Sequence, residues 1–339
     1  MTRGAGLGPA LLAALATPST WVLALVAFLL RGGLVVLLVP IITIPSAVGF
    51  GNLLGPTITE LVLGDARSTA ILLGLATFAA ASAWLVIGGW LAAAAEVEAI
   101  RRIALDEEVG VGIGLVPANL RHAAWRVLVA RLVLAVPLIL ALAVGGVQVV
   151  LSAYRELTVP SDTAIPLVVR VIAGASQAIA LIVVAWIVGE LLSGIAARWI
   201  VLRSDGVVRG LVAALGHVIR RPVPVLVGWF VPTAGLVAVV VPSAMASGSA
   251  WAALRTILAD GDEPLVATLL VALLVALWLG GLVLVGLTSA WRGAVWTVQV
   301  AGTFGGVTER RPGEWSDAGM RGTLGGLRPD GAEPTRGEP

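Results

Sequence analysis

The sequence predicts an all-α membrane protein, a polytopic bundle of six transmembrane helices, and three observations lead to this fold class. Of the 339 residues, 58% are apolar and only 12% are charged, whereas a soluble domain usually carries about 25% charged residues. Six apolar stretches are each long enough to cross a hydrocarbon core, which takes about 20 helical residues. Arginine is concentrated in alternate connections between these stretches, which is typical of a polytopic protein with a fixed orientation.

The predicted spans are uninterrupted apolar segments, and several are longer than one crossing requires, so we expect those helices to tilt or to project past the membrane. In chain order they are Trp21–Ile44, Ser68–Ala95, Ala124–Leu151, Ile165–Ile200, Val223–Met245 and Pro264–Val300. A membrane domain over residues 1–304 is followed by residues 305–339, whose Gly, Pro, Arg and Glu content predicts a disordered cytoplasmic tail. A cleaved signal peptide is an alternative interpretation of the short apolar stretch Leu7–Ala16.

The distribution of arginine predicts that both termini are cytoplasmic. The connections after the second and fourth spans and the C-terminal tail hold most of the arginines outside the spans, among them Arg101, Arg121, Arg203, Arg220 and Arg310. The chain contains no lysine, a bias that indicates a bacterial genome rich in G and C. We therefore expect a multi-pass protein of the bacterial cytoplasmic membrane.

An internal repeat of about 100 residues is predicted to organise the six spans as three hairpins. Aspartates recur after the odd-numbered spans, and tryptophans recur within the returning spans, at Asp65, Asp162, Asp262, Trp84, Trp186 and Trp278. The three copies lie near residues 8–105, 117–204 and 208–304. Each copy is predicted to contain a short amphipathic lead-in helix, a span, a connection and a long returning span.

Two charged residues within apolar sequence are the candidate functional positions. Arg31 lies in the middle of the first span, where a charged side chain costs at least about 2.5–3.5 kcal/mol unless it faces other helices or water. Glu190 is one possible partner, although it is predicted to lie at a different depth. The alternative is that Arg31 pairs with a neighbouring helix or snorkels, with the span shifted inward. Arg131 and Arg170 are interpreted as arginines that snorkel to the membrane surface.

The sequence offers no catalytic, cofactor-binding or metal-binding motif. Cysteine is absent, and two histidines, His122 and His217, do not make an ordinary zinc site. The glycines between Gly110 and Gly114 lack the lysine and the strand–turn–helix context of a phosphate-binding loop. The net charge of only +2 gives no reason to expect nucleic-acid binding, and the oligomeric state is not predicted.

Two lead-in segments carry a resemblance to known membrane proteins. Residues 119–126, Asn-Leu-Arg-His-Ala-Ala-Trp-Arg, and residues 209–217, Arg-Gly-Leu-Val-Ala-Ala-Leu-Gly-His, each precede a span. This pattern resembles uncharacterised bacterial six-span membrane proteins that are similar to the membrane domain associated with glycerophosphodiester phosphodiesterases. The resemblance implies a six-span fold and carries no activity, because the phosphodiesterase domain has no counterpart here. Mitochondrial carriers also have three hairpins, but their proline–acid–base signature is missing after Pro45 and Pro242.

Three functions remain open from the sequence. The first is non-enzymatic binding or transport of a small molecule or lipid between the hairpins, which requires a polar interior cavity. The second is a membrane scaffold that docks a cytoplasmic partner through its connections and its arginine-rich tail. The third is a membrane-embedded enzyme acting on lipid headgroups, which requires His122 or His217 to converge with acidic groups.

Overall fold

The computed structural model describes residues 6–38, 67–106, 119–159, 161, 165–260 and 264–303. These ranges contain ten helices and no strand: α1 (Leu7–Ala16), α2 (Pro18–Phe28), α3 (Leu34–Leu38), α4 (Arg67–Asp106), α5 (Leu120–Thr158), α6 (Leu167–Gly174), α7 (Ser176–Arg203), α8 (Val207–Arg220), α9 (Pro222–Asp260) and α10 (Pro264–Ala301). Six segments are long and apolar enough to cross a membrane. The chain is therefore a multi-pass integral membrane protein, and the predicted all-α helical bundle is confirmed.

The first span is broken in its middle rather than continuous. It covers Pro18–Leu38 and consists of α2 and α3, separated by a wide turn over Leu29–Gly33. The backbone of Arg31 leaves helical geometry at φ −89° and ψ 15°, and Gly32 adopts φ +100°. Glycine has no Cβ and tolerates this left-handed conformation at little steric cost. The break therefore has a local cause in the sequence, the glycine that follows Arg31.

Several other helices also differ from the boundaries that hydropathy predicts, and α4 runs to Asp106, past the predicted end of the second span at Ala95. The predicted fourth span divides at Ala175 into α6 and α7. The fifth continues through Pro232 and Pro242 to Asp260, well past its predicted end at Met245. In the middle copy of the predicted repeat, the lead-in segment is the first part of α5, whereas α1 and α8 are separate lead-in helices. Hydropathy finds the apolar segments but does not find the ends of helices that extend beyond them.

The returning spans α4, α7 and α10 pack against one another in the middle of the bundle. Around them, α2 packs against α4 and α10, α5 packs against α4 and α7, and α9 packs against α10. Small and branched residues such as Ala93, Ile195 and Val295 fill the shared core, which is typical of helices that approach closely in a membrane. Residues 71–87 of α4 lie beyond this core and have mostly exposed side chains, as expected where helices face lipid tails.

Several features predicted from sequence lie outside the described residues. These are the aspartates that close the odd-numbered hairpin connections (Asp65, Asp162 and Asp262), the glycine-rich segment near Gly110 and the tail at 305–339.

Candidate functional site

A cavity of 490 Å³ lies inside the bundle and is lined by residues from all six spans. Its volume falls in the range of about 300–1,000 Å³ that is usual for small-molecule sites. The charged part of the lining consists of four arginines and two glutamates: Arg31, Arg131, Arg198, Arg292, Glu96 and Glu190. Charged side chains are costly inside a membrane, so a cavity with six of them in its lining is the candidate functional site.

Glu96 of α4 is the acceptor for three arginines from three different spans. Its Oε2 atom lies 2.5 Å from an Nη atom of Arg31 and 2.6 Å from an Nη atom of Arg131. Its Oε1 atom accepts a hydrogen bond of 2.8 Å from Arg198. The Glu96 side chain is only 8% exposed. We call these four residues the Glu96 cluster, and it ties α4 to the broken first span, to α5 and to α7.

Arg198 is the most deeply buried member of the Glu96 cluster, with 4% of its side chain exposed. Its guanidinium also donates to the carbonyl oxygen of Gly194, at 2.7 Å, and to that of Gly293, at 3.4 Å. The Trp296 ring lies 5.3 Å from the guanidinium carbon, within the range of a cation–π contact. That ring packs directly on Gly194, where any Cβ atom would overlap it. The position of Arg198 is therefore fixed from several sides.

Glu190 of α7 forms a second ion pair at the edge of the same cavity. An Nη atom of Arg292 lies 2.9 Å from its Oε1 atom, and the Arg292 guanidinium carbon lies 5.5 Å from the Trp296 ring. Trp296 thus contacts the guanidinium groups of both Arg198 and Arg292. The Glu96 cluster and the Glu190–Arg292 pair are therefore neighbours, since an arginine of each contacts the Trp296 indole ring.

The structure places both candidate residues from the sequence on the cavity wall, but with different partners. Arg31 bonds to Glu96, and Glu190 bonds to Arg292. The snorkelling interpretation is wrong for Arg131, because its guanidinium points to Glu96 within the bundle. Arg170 is likewise paired, with Glu156 at 3.1 Å, and both side chains of that pair lie away from the cavity lining.

Sequence reasoning missed Glu96, Arg198 and Arg292. The predicted second span ends at Ala95, one residue before Glu96. Arg198 lies near the predicted end of the fourth span, where arginine fits the positive-inside pattern, and Arg292 lies inside the predicted sixth span without a feature that marks Glu190 as its partner. One signal was available: a buried arginine needs an acceptor, and Glu96 lies in the first long helix that follows Arg31.

The charges on the lining do not balance. Four guanidinium groups face two carboxylates, and both oxygens of Glu96 are already occupied. The guanidinium group of arginine stays protonated in proteins at neutral pH. Among the lining residues, two positive charges therefore have no carboxylate of their own. An unbalanced charge that is held away from bulk water is costly, so the cavity is electrostatically suited to an anion.

The remaining wall of the cavity is apolar and reaches the outer surface of the bundle. Phe28 and Val36 of the first span face Leu236, Val237 and Val241 of α9 across it. Val36, Val237 and Val241 are also exposed. In addition, α3 and α9 are only loosely packed against each other. The cavity thus has a charged interior and an apolar edge between the first and fifth spans, which we call the lateral edge.

The two histidines do not contribute to this cavity. His122 lies in the first turn of α5 and is exposed, and His217 is buried on α8; neither lines the cavity. Burial, assisted by the nearby charge of Arg221, lowers the pKa of His217. Within the described ranges, no group of three potential metal ligands is found. The convergence of histidine with acidic groups that an enzyme was expected to need is therefore not seen in the described part of the chain.

Comparisons with known proteins found no matching family model, no similar curated protein and no similar solved structure. The cavity and its charges are therefore the basis for assigning a function.

Proposed function

We propose that this integral membrane protein binds a small molecule or lipid in the cavity between its spans and carries it without chemical conversion. The observation that supports this proposal is a cavity of ligand size, lined by all six spans, with six charged side chains in its lining. Intramembrane charges of this kind commonly mark ligand or ion pathways. The break at Arg31 and Gly32 adds support, because broken spans are frequent at transporter binding sites.

The proposal requires that small molecules reach the cavity from outside the bundle. The chain contains no cysteine, so a single introduced thiol reports on one position. Ala99 lines the cavity, and its side chain is partly exposed. Ala93 lies on the same helix but is fully buried in the core. The matched variants Ala99→Cys and Ala93→Cys therefore compare the accessibility of the cavity with that of the buried core.

We expect methyl methanethiosulfonate to modify Ala99→Cys at least about ten-fold faster than Ala93→Cys, because thiol reactivity depends on access. Mass spectrometry of the intact, detergent-purified protein measures both rates. When Val240→Trp is added to the Ala99→Cys protein, we expect the larger side chain to fill part of the cavity and to slow the modification. Val231→Trp, on the exposed surface of the same helix, should leave the rate unchanged. A rate for Ala99→Cys as slow as that of the buried Ala93→Cys would show that the cavity is closed to ligands and would contradict the proposed function.

The same proposal includes an orientation, with both termini in the cytoplasm of a bacterial cell, supported by the arginine-rich even-numbered connections. A reporter that is active only in the cytoplasm should be active when fused after Asp106 or Asp205. It should be inactive after Asp65 or Ser161. Fusion activity on both sides of any one span would contradict this orientation.

A further inference from the structure

The unbalanced charge of the cavity and its lateral edge together identify the chemical class of the ligand. We propose that the cavity binds an anionic lipid, with its oxyanion headgroup against the arginines and its acyl chain along the apolar wall between α3 and α9. This inference rests on the proposed function, since it names the ligand of the same cavity.

The first step concerns where the headgroup binds. Three arginines on the lining keep part of their side chains exposed: Arg31 by 29%, Arg131 by 18% and Arg292 by 19%. All three are already oriented by a carboxylate, so little side-chain freedom is lost when a ligand arrives. The planar guanidinium donates several N–H groups in a fixed geometry that fits phosphate and carboxylate oxygens. An oxyanion is therefore the ligand group that these side chains are built to hold.

The second step concerns the balance of donors and acceptors. Five lining residues have a buried polar atom with no hydrogen-bond partner within the described part of the chain: Arg131 Nε, Arg198 Nε, Thr233 Oγ1, Ser289 Oγ and Trp296 Nε1. Three of these atoms are pure donors. Unsatisfied buried donors are rare in folded proteins. The residues around the cavity therefore carry more buried donors than acceptors, an imbalance that favours an anionic ligand over a cationic one.

The third step concerns the apolar part of the ligand. A small hydrated anion would need a polar path from water to the arginines. At the lateral edge, however, the cavity is bordered by exposed valines: Val36, Val237 and Val241. Such an edge suits an acyl chain that remains partly among the membrane lipids while its headgroup enters. An anionic amphiphile fits the charged interior and the apolar edge, whereas a free anion uses only the first.

The test uses the full-length Ala99→Cys protein in detergent, with phosphatidylglycerol, oleate, phosphatidylcholine or inorganic phosphate as the added probe. We expect phosphatidylglycerol or oleate to slow modification of this thiol by methyl methanethiosulfonate at least about ten-fold, which corresponds to about 1.4 kcal/mol. Phosphatidylcholine, which has no net charge, and inorganic phosphate, which has no chain, should not protect. Protection by inorganic phosphate alone would show that the ligand is a free anion and overturn the assignment to a lipid.

A charge variant provides the second measurement. In Arg31→Gln, Glu96 keeps two of its three arginines, and one positive charge is removed from the lining. Native mass spectrometry should show at least about ten-fold weaker retention of phosphatidylglycerol. The matched control is Arg170→Gln, which removes a paired arginine away from the cavity and should retain lipid as the parent does. Equal retention by Arg31→Gln and Arg170→Gln would overturn the inference.

The two levels of the proposal fail differently. If the Ala99→Cys thiol is unreactive without any lipid, the cavity is closed and the proposed function itself is wrong. If the thiol is reactive but neither phosphatidylglycerol nor oleate protects it, the cavity is open and only the assignment to an anionic lipid is wrong.

Discussion

Glu96 and Glu156 both lie on spanning helices and accept hydrogen bonds from arginine, but in different proportions. Glu96 serves Arg31, Arg131 and Arg198, whereas Glu156 serves Arg170 and the backbone and hydroxyl groups of Ser161. The Glu156 pair is electrically neutral by itself. The Glu96 cluster carries a net charge of +2, and it is the one that borders a cavity.

The difference separates two uses of a buried ion pair. A one-to-one pair satisfies its own charges and serves only to join two neighbouring helices. Three arginines that bond to one carboxylate fix its position and give the cluster a net positive charge. A further anion is therefore needed to neutralise the cluster. The imbalance of charge, rather than burial alone, is what distinguishes the candidate site from an ordinary structural pair.

The largest expected effect is that of Glu96→Gln. This change leaves three guanidinium groups close together without a carboxylate, and breaking a buried pair by removing one partner costs about 3–5 kcal/mol. We expect the apparent Tm of the purified protein to fall by about 10 °C, as measured by tryptophan fluorescence on heating. Glu98→Gln is the matched control on the same helix. Glu98 bonds to Arg101 and Arg102, and all three side chains are partly exposed, so its loss should have little effect.

A fall in Tm that is the same for Glu96→Gln and Glu98→Gln would remove the distinction between the buried cluster and a surface pair.

Addition of phosphatidylglycerol to the parent protein is a further test of the Glu96 cluster. The lipid should raise the Tm of the parent protein, because a ligand that binds only the folded state stabilises it.

The fold was more predictable than the site. Long apolar segments follow directly from the solvent preference of each side chain, and all six spans were found in this way. The pairing of Arg31 with Glu96 depends on how α2, α4 and α5 pack, and no local pattern records this. Arg131 was misinterpreted for a related reason, since an arginine near a span end has both water and a buried carboxylate within reach.

The three-hairpin repeat remains a prediction. It would relate the positions of Glu96 and Arg198 to each other. Glu96, Arg198 and Ala290 each lie twelve residues after a matching tryptophan, at Trp84, Trp186 and Trp278. They belong to α4, α7 and α10, the three helices in the middle of the bundle. Glu96 and Arg198 are bonded to each other, and Ala290 lines the cavity. Superposition of the three hairpin backbones tests whether these three positions are equivalent.

The smallest expected effect is that of the double variant Glu156→Leu with Arg170→Met. Both partners of a neutral, partly buried pair are removed together, so no charge is left without a counter-charge. Replacing a whole ion pair by apolar residues of similar size is often neutral or stabilising, so the Tm should stay within about 2 °C of the parent value. Each single variant should be less stable than the double variant, because it leaves one charge unpaired.

The measurement is the Tm of all three proteins in one detergent, together with retention of phosphatidylglycerol by the double variant. A double variant that is less stable than both singles, or that loses the lipid, would mean that the Glu156 pair also supports the cavity and that charge balance does not distinguish the two sites.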